Sequence, residues 1–314
     1  MAMLLVSDYG KDPAEWQDRL RDFIPAVEVR GWPSCGEPTD IDIVLADCAV
    51  APKGGFSAFT KLRWVHYLGH GVGDMLRDPT LDAGVLVTRQ RRKGMAQGLA
   101  IYVVNALTNQ HLRVAEYREL QRQQRWERLS SLVTADVNVL VLGLGIIGVT
   151  IADRLAELGY AVTGWSRSLH DITGVMTIAG PDALDDALAA ADYVVAALPE
   201  TDSTIGLLNR KTLALMKHGV YLINIGRGSL IAEDDLLSAL DDGRVRGAQL
   251  DVFATEPLPG GHPLWSHPGV TLTPHAGGPP ANDSDETFAE VVENYRRLHN
   301  GEDLLNLANR EWGY

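Results

Sequence analysis

Cysteine, positive charge and long apolar runs are all scarce in this chain of 314 residues. The two cysteines, Cys35 and Cys48, have neither a metal-ligand spacing nor the number that a disulfide framework needs, which favours free thiols in a reducing cytosol. Lysine and arginine total 28 against 41 acidic residues, which disfavours nonspecific binding to nucleic acid or to an anionic membrane. No apolar run approaches a membrane span, and Asp8 comes too early for a signal peptide. We therefore predict a cytoplasmic protein with no nucleic acid, membrane or metal ion as its partner.

Glycine, in contrast, is frequent, and three glycines just before the middle of the chain have a spacing that indicates a function. Residues 137–142 form an apolar run, which predicts a parallel strand covered on both faces. The run leads directly into the spacing G-x-G-x-x-G, formed by Gly143, Gly145 and Gly148. In such a turn the first glycine permits a tight bend, the second leaves room for a pyrophosphate and the third lets the next helix pack close. The amides that this helix would direct at the phosphates include those of Ile146 and Ile147.

Strands and helices are predicted to alternate along most of the chain, which indicates the α/β class. The alternation is regular over residues 135–273, as in a doubly wound parallel sheet with ligands outside the carboxyl ends of its strands. We therefore predict a Rossmann dinucleotide domain over residues 95–282. A smaller, flavodoxin-like α/β substrate domain is predicted from residues 1–94 together with a helical tail, residues 283–314, that packs back on it.

Individual elements follow from the spacing of apolar residues. Helices are predicted over residues 13–23 and 55–62, and one or two long helices over residues 94–129. Strands are predicted at residues 3–7, 42–46, 64–68 and 85–88, and then at 137–142, 161–165, 193–197, 220–224, 247–252 and 270–273. A glycine turn around His70 and Gly71, after the third of these strands, can present several backbone N–H groups to an anion or can be a plain surface loop.

The end of the second Rossmann strand indicates which nicotinamide cofactor is bound. It reads Trp165-Ser166-Arg167-Ser168, without the acid that usually bonds the ribose 2′-hydroxyl of NAD. The two serines can donate hydrogen bonds, and the planar guanidinium of Arg167 suits a 2′-phosphate. NADP is therefore predicted in preference to NAD. The alternatives are NAD and an arginine that contacts no ligand.

Three ionisable residues follow three later strands of the same predicted sheet. Arg227 can hold a substrate carboxylate and polarise a keto oxygen. Histidine is the side chain whose ordinary pKa lies nearest neutrality, so His275 can give a proton when hydride reaches the carbonyl carbon. Glu256 can bond the far side of that imidazole and favour its protonated form. Each has an ordinary structural explanation alone, but together at one sheet edge they predict a 2-keto acid reductase.

With these motifs the chain resembles the D-isomer-specific 2-hydroxyacid dehydrogenases over essentially its whole length. It is most similar to their glyoxylate/hydroxypyruvate reductase A branch in residues 165–168 and in its ending, Asn309 to Tyr314. The resemblance implies catalysis by Arg227, Glu256 and His275, and substrate carboxylate binding near His70 and Gly71. It also implies a homodimer with a cleft between the domains. The further cofactor contacts that it implies are Leu198, Pro199, Thr204, the carbonyl of Ile225, Asp251 and Gly277.

Two positions depart from the family's pattern, and they bear on the identity of the substrate. The family's loop commonly reads G-V-D, whereas here Gly73 precedes Asp74, so that the acid comes one place later. The family's first long helix commonly carries a glutamate before a Tyr or His, whereas this chain has Ile101 before Tyr102. Neither position belongs to the predicted catalytic set.

The sequence thus predicts an NADPH-dependent reductase that converts a small 2-keto acid of the glyoxylate or hydroxypyruvate type to the D-2-hydroxy acid. Hydride would come from C4 of the nicotinamide and the proton from His275. One alternative is an NAD-dependent dehydrogenase of another D-2-hydroxy acid. Another is a non-catalytic, dinucleotide-sensing binding protein, which the complete set of three ionisable residues disfavours.

Overall fold

The computed structural model describes residues 2–7, 11–46, 55–69, 71–91, 93–278 and 285–313. The chain divides into two compact units, of which the first comprises Met1–Arg91 with Pro280–Tyr314 and the second Arg92–Pro279. Each unit is built on its own parallel sheet. No helix among the described residues is long and apolar enough to cross a membrane.

The second unit contains a seven-stranded sheet in which every pair of neighbouring strands is parallel. Its strands are β6 (Asn138–Leu142), β7 (Ala161–Ser166), β8 (Val175–Ala179), β9 (Tyr193–Ala196), β10 (Val220–Asn224), β11 (Val245–Leu250) and β12 (Val270–Leu272). They lie in the order β12-β11-β10-β9-β6-β7-β8. The order reverses between β6 and β9, which is the switch point where doubly wound sheets bind ligands. The predicted Rossmann sheet is therefore confirmed.

Helices cover both faces of this sheet. They are α3 (Lys93–His111), α4 (Val114–Arg122), α5 (Ile146–Glu157), α6 (Asp182–Ala190), α7 (Arg210–Leu215) and α8 (Glu233–Asp241). Alternate strand residues enter two separate cores: Leu140 and Leu142 pack with α6, α7 and α8, whereas Val139 and Val141 pack with α3 and α5. The continuous apolar run of β6 is therefore explained by burial on both faces.

The first unit contains a five-stranded parallel sheet in the order β2-β1-β3-β4-β5, the flavodoxin-like arrangement. Its strands are β1 (Ala2–Val6), β2 (Glu28–Gly31), β3 (Ile41–Ala46), β4 (Trp64–Tyr67) and β5 (Leu86–Arg89), and its helices are α1 (Pro13–Arg21), α2 (Gly73–Leu76) and α9 (Asp285–Asn300). Phe288 of α9 packs on Trp16 of α1 with a ring separation of 4.3 Å. This aromatic contact anchors the C-terminal helix to the first sheet.

The prediction of a helix over residues 55–62 is wrong, because that segment consists of turns. Phe56 and Phe59 have helical spacing, but each enters the core from a turn, and Thr80 Oγ1 accepts the backbone N–H of Phe56 at 2.8 Å. The long helical region is also shorter than predicted. It breaks at Arg113, which has a φ of 57°, and residues 123–129 are not helical.

Candidate active site

The glycine turn after β6 owes its shape to two steric constraints. Gly143 has a φ of +100°, which side-chain-bearing residues rarely adopt. A Cβ on Gly148 would lie 1.7 Å from the carbonyl oxygen of Gly143, so only glycine lets α5 start this close to the turn. A Cβ on Gly145, in contrast, would meet nothing within 4 Å. This open space lies beside the first amides of α5, those of Ile146 and Ile147, which no side chain caps. Open space beside uncapped helix amides is an arrangement that suits an anion such as a pyrophosphate.

The turn after β7 lies directly beside the glycine turn, since the N–H of Gly143 donates to the carbonyl of Trp165 at 2.8 Å. The hydroxyl of Ser166 is buried and donates to the carbonyl of Ser168 at 2.5 Å, so it shapes the turn. The side chains of Arg167 and Ser168 are exposed. The indole of Trp165 donates to the carbonyl of Gly180 and packs into the sheet. An exposed arginine therefore follows the strand that lies beside the glycine turn.

The loop after β9 packs against the turn after β10. The Thr204 hydroxyl accepts the N–H of Thr201 and donates to the carbonyl of Pro199 at 2.7 Å, so its bonds fold the loop. A Cβ on Gly226 would lie 2.6 Å from the carbonyl oxygen of Leu198. Only a glycine at position 226 therefore permits this close contact beside the switch point.

Arg227 follows β10 in a turn that a buried asparagine holds. The side chain of Asn224 accepts the N–H of Gly226 at 3.1 Å and donates to the carbonyl of Arg227 at 2.9 Å. Ile225 between them is buried, and its N–H donates to the carbonyl of Ala196 on the neighbouring strand. These bonds fix the backbone from which the half-buried Arg227 side chain projects.

Glu256 contacts His275, and the segment that carries Glu256 packs against the turn of Arg227. A Cβ on Gly228 would lie 1.8 Å from the carbonyl carbon of Phe253, so the two segments are in backbone contact. The Glu256 carboxylate accepts the N–H of Phe253 at 2.9 Å through Oε1 and contacts His275 Nδ1 at 2.8 Å through Oε2. Burial raises the pKa of Glu256, but the bonds from His275 and Phe253 and the charge of Arg227 together bring it below its ordinary value. The carboxylate is therefore ionised at neutral pH.

His275 lies in a tight turn after β12 that is held from inside the sheet. Its φ is 52°, a left-handed conformation that is unfavourable for a residue with a side chain. Asp251, which is 1% exposed, accepts the N–H groups of Ala276 and Gly277 and the hydroxyl of Thr273. The N–H of His275 itself donates to the Asp251 carbonyl at 2.8 Å. The imidazole is half-exposed, and its Nδ1 faces Glu256, so Nε2 is directed away from that acid.

Comparison with known proteins agrees with this architecture. The family model for the D-isomer specific 2-hydroxyacid dehydrogenase NAD binding domain matches residues 104–277. A glyoxylate/hydroxypyruvate reductase A from Serratia proteamaculans is 38% identical over 83% of this chain and 84% of its own, and one from Photorhabdus laumondii is 34% identical over 96% and 97%. The chain belongs to the D-isomer specific 2-hydroxyacid dehydrogenase family. The resemblance predicted from the motifs is therefore confirmed.

Solved structures of this dehydrogenase family superimpose over nearly all of the chain. A Xanthobacter autotrophicus member in complex with NADPH and MES is 33% identical, with a TM-score of 0.89 over 99% of both chains. An NADPH-dependent glyoxylate/hydroxypyruvate reductase from Sinorhizobium meliloti, in complex with NADP and sulfate, is 30% identical, with a TM-score of 0.88 over 100% of both. The chain is thus an NAD(P)-dependent oxidoreductase that acts on the CH–OH group, as predicted.

The substrate contacts predicted in the first unit are only partly visible. His70 lies outside the described residues, and Gly71 is half-buried in the segment that leads into α2. The late acid of that loop, Asp74, pairs with Arg77 at 2.7 Å within α2. Of the second departure from the family's pattern, Ile101 is exposed on α3, and the neighbouring Tyr102 reaches Thr273 in the turn of His275.

Sequence reasoning missed the polar residues that hold this dehydrogenase's three turns. Asn224 and Thr273 are predicted only as the last residues of their strands, although an asparagine side chain can hold a turn by bonding the backbone two residues on. The resemblance assigns Gly277 and Asp251 to the cofactor, and in the structure the Asp251 carboxylate accepts the N–H of Gly277 together with other donors of the same turn. No sequence signal indicated that Tyr102 contacts Thr273, because the two residues are 171 positions apart.

Proposed function

We propose that this dehydrogenase reduces small 2-keto acids of the glyoxylate or hydroxypyruvate type to D-2-hydroxy acids with NADPH. The observation that carries the proposal is the 2.8 Å contact between His275 and Glu256, at the carboxyl edge of the Rossmann sheet. The turns of Glu256 and Arg227 are in backbone contact and the charge of Arg227 helps to lower the pKa of Glu256, which supports a role for a cation beside this acid–base pair. The names of the similar reductases support the substrate class.

The residues after β6 and β7 fit NADP. The open space above Gly145 and the uncapped amides of Ile146 and Ile147 suit the pyrophosphate. The Arg167 guanidinium and the Ser168 hydroxyl suit a 2′-phosphate, and no carboxylate stands between residues 165 and 168 to repel it. When bound, NADPH supplies the hydride. NADP and NADPH in the similar structures from Sinorhizobium meliloti and Xanthobacter autotrophicus agree with this choice.

Within the chain, charge and proton are handled by three side chains. Arg227 binds the substrate carboxylate and withdraws electron density from the keto oxygen, which makes the carbonyl carbon a better hydride acceptor. His275 gives its Nε2 proton to that oxygen as the new C–H bond forms, and solvent returns a proton to the ring. Glu256 stays ionised, holds Nδ1–H and stabilises the charged imidazole until transfer.

A substrate panel tests the proposed reaction. Purified protein is mixed with NADPH and glyoxylate, hydroxypyruvate, pyruvate or a bulkier keto acid, and turnover is followed at the nicotinamide absorbance. We expect the highest kcat/KM with glyoxylate or hydroxypyruvate. A protein that binds NADPH but turns over none of these acids would instead be a dinucleotide-sensing binding protein.

Arg167 provides the test of cofactor choice. Arg167→Ala should raise the KM for NADPH about tenfold or more, because a charge-assisted hydrogen bond contributes roughly 1.5–3 kcal/mol. The KM for NADH should change little. Arg210→Ala, which removes an exposed arginine at the start of α7 in the same unit, is the matched control. Lower KM for NADH than for NADPH in the unmodified protein would favour an NAD-dependent dehydrogenase of another D-2-hydroxy acid.

A second copy of the chain is the partner that the surface of the second unit favours. Large apolar side chains are exposed around α4 and the segment after it. A single exposed apolar residue is ordinary on a protein surface, but a group of them indicates an interface. They are Leu112, Tyr117, Trp126, Leu132 and Val133. We propose a homodimer through this face. Light scattering should give twice the chain's mass, and Trp126→Ser should shift the protein towards the monomer.

A further inference from the structure

We propose that Tyr102 is a positioning residue for His275, acting from α3 through Thr273 and Asp251. The inference rests on the proposed function, since it concerns the residue assigned to proton transfer. Tyr102 itself bonds neither His275 nor Glu256. Its hydroxyl contacts Thr273, which belongs to the hydrogen-bond network that holds the turn of His275.

The turn needs such a network because its backbone is unfavourable. A left-handed residue with a side chain is strained and persists only where its surroundings hold it. His275 has a φ of 52°, and it directs its ring at Glu256 from that conformation. Relaxation of φ would swing the ring away from the acid. The donors of the turn converge on the Asp251 carboxylate. The position of that carboxylate therefore fixes the backbone from which the ring projects.

The direction of each hydrogen bond in the network follows from chemistry. Oδ1 of Asp251 accepts the N–H groups of Ala276 and Gly277, and the Thr273 hydroxyl donates its single hydrogen to the same oxygen at 2.6 Å. The same hydroxyl oxygen must then accept from Tyr102 at 2.7 Å. The phenol oxygen in turn accepts an amide N–H of Gln249 at 2.6 Å. The bonds therefore run one way, from Gln249 through Tyr102 and Thr273 to Asp251, and each strengthens the next.

Two further observations link α3 to this turn. A Cβ on Gly277 would lie 2.9 Å from Asp251 Oδ2 and 3.3 Å from Leu99 of α3, so the turn fits closely between the carboxylate and the helix. Burial raises the pKa of the Tyr102 hydroxyl, which therefore keeps the proton that Thr273 needs. Without that hydroxyl, Thr273 would lose its donor and Gln249 its acceptor.

The decisive variant is Tyr102→Phe, and Tyr221→Phe is its control. Both remove a hydroxyl from a tyrosine of the second unit, half-buried at position 102 and buried at position 221, and Tyr221 lies on β10 with no bond to the turn of His275 among the described contacts. We expect kcat with glyoxylate and NADPH to fall about tenfold in Tyr102→Phe, because misplacement of a reacting group lowers the rate of the chemical step. The KM for NADPH should stay within about twofold. Tyr221→Phe should keep the kcat of the unmodified protein.

A second pair of variants separates positioning from loss of folding. Thr273→Ser keeps a hydroxyl between Tyr102 and Asp251 and should retain kcat, whereas Thr273→Val removes it and should lose as much kcat as Tyr102→Phe. Equal kcat in Tyr102→Phe and Tyr221→Phe, or in Thr273→Ser and Thr273→Val, would overturn the inference. If the unmodified protein reduces no 2-keto acid, it is the proposed function that fails.

Discussion

Two histidines, one in each unit, show how differently the same side chain is used. His66 on β4 is 0% exposed, and its ring nitrogens contact Thr88 Oγ1 at 2.7 Å and Gln90 Nε2 at 3.1 Å. His275 has a side chain that is 52% exposed, with a carboxylate on Nδ1. Both rings are oriented by hydrogen bonds. The ring of His275 contacts an ionised carboxylate and has access to solvent, whereas the ring of His66 is fully buried.

The difference teaches what separates a structural histidine from one that can do chemistry. In the first unit, the Trp64 indole and the imidazole of His66 both bond the Thr88 hydroxyl, so polar groups satisfy one another inside the core. In the second unit, Glu256 holds one nitrogen and stabilises positive charge, which leaves the other nitrogen for a substrate. Burial with neutral partners favours stability, whereas exposure with an acid favours proton transfer.

The largest effect should come from His275→Ala. Removing a general acid lowers turnover by about 10²–10⁴-fold, so kcat with glyoxylate and NADPH should fall by that factor. Binding of NADPH, measured by fluorescence titration, should change less than about threefold, because the predicted phosphate contacts lie at other turns. His218→Ala is the control, since this exposed histidine precedes β10 at the opposite edge of the sheet. Near-normal turnover in His275→Ala would remove the contrast with His66.

Arg227→Ala should have the second largest effect, and it should change the KM for the keto acid as well as kcat. It removes both the contact with the substrate carboxylate and the polarisation of the keto oxygen, each a charge-assisted bond contributing about 1.5–3 kcal/mol. Steady-state kinetics should therefore show a KM for the keto acid raised about tenfold or more and a kcat lowered by a similar factor. An effect on kcat alone would mean that Arg227 does not bind the ground-state substrate.

Thr88→Val probes the buried side of the comparison. It leaves the Trp64 indole N–H and one nitrogen of His66 facing a methyl group, and an unsatisfied buried polar group costs about 1–3 kcal/mol. Urea unfolding should show a loss of that size, while kcat stays within about twofold of the unmodified protein. Thr271→Val, exposed on β12, should cost less than about 0.5 kcal/mol. A collapse of kcat in Thr88→Val would show that the buried cluster also serves the reaction.

The smallest effect concerns Glu256 and pH. Because its folded pKa lies below the ordinary value of 4.5, the ionised carboxylate stabilises the folded protein above that pH. This contribution is lost as pH falls below 4.5 through the folded pKa. The side chain is 36% exposed, so the difference in unfolding free energy between the unmodified protein and Glu256→Gln should be less than about 1 kcal/mol at neutral pH and shrink in acid. A difference that grows in acid would contradict the lowered pKa.

Strands that are buried on both faces were predictable, whereas two of the four edge strands, β2 and β8, were not. The run of β6 has four buried residues in five, whereas β2 and β8 have none. These two strands were missed because pairing with β1 and β7, and not their own side chains, makes them strands. The segment with Phe56 and Phe59 failed for the opposite reason, since its spacing resembled a helix but turns deliver both rings to the core.

The sequence by itself determined the glycine turn, the absence of an acid after β7 and the three ionisable residues at later strand ends. Each of these features is a local pattern that follows a predicted strand, so it can be read without knowledge of distant contacts. Only the tertiary structure decided that Glu256 faces Nδ1 of His275, and that Asp251 and Tyr102 hold the turn from inside the second unit. The physical reason is distance along the chain. These bonds form only where parallel strands and α3 bring together residues up to 171 positions apart.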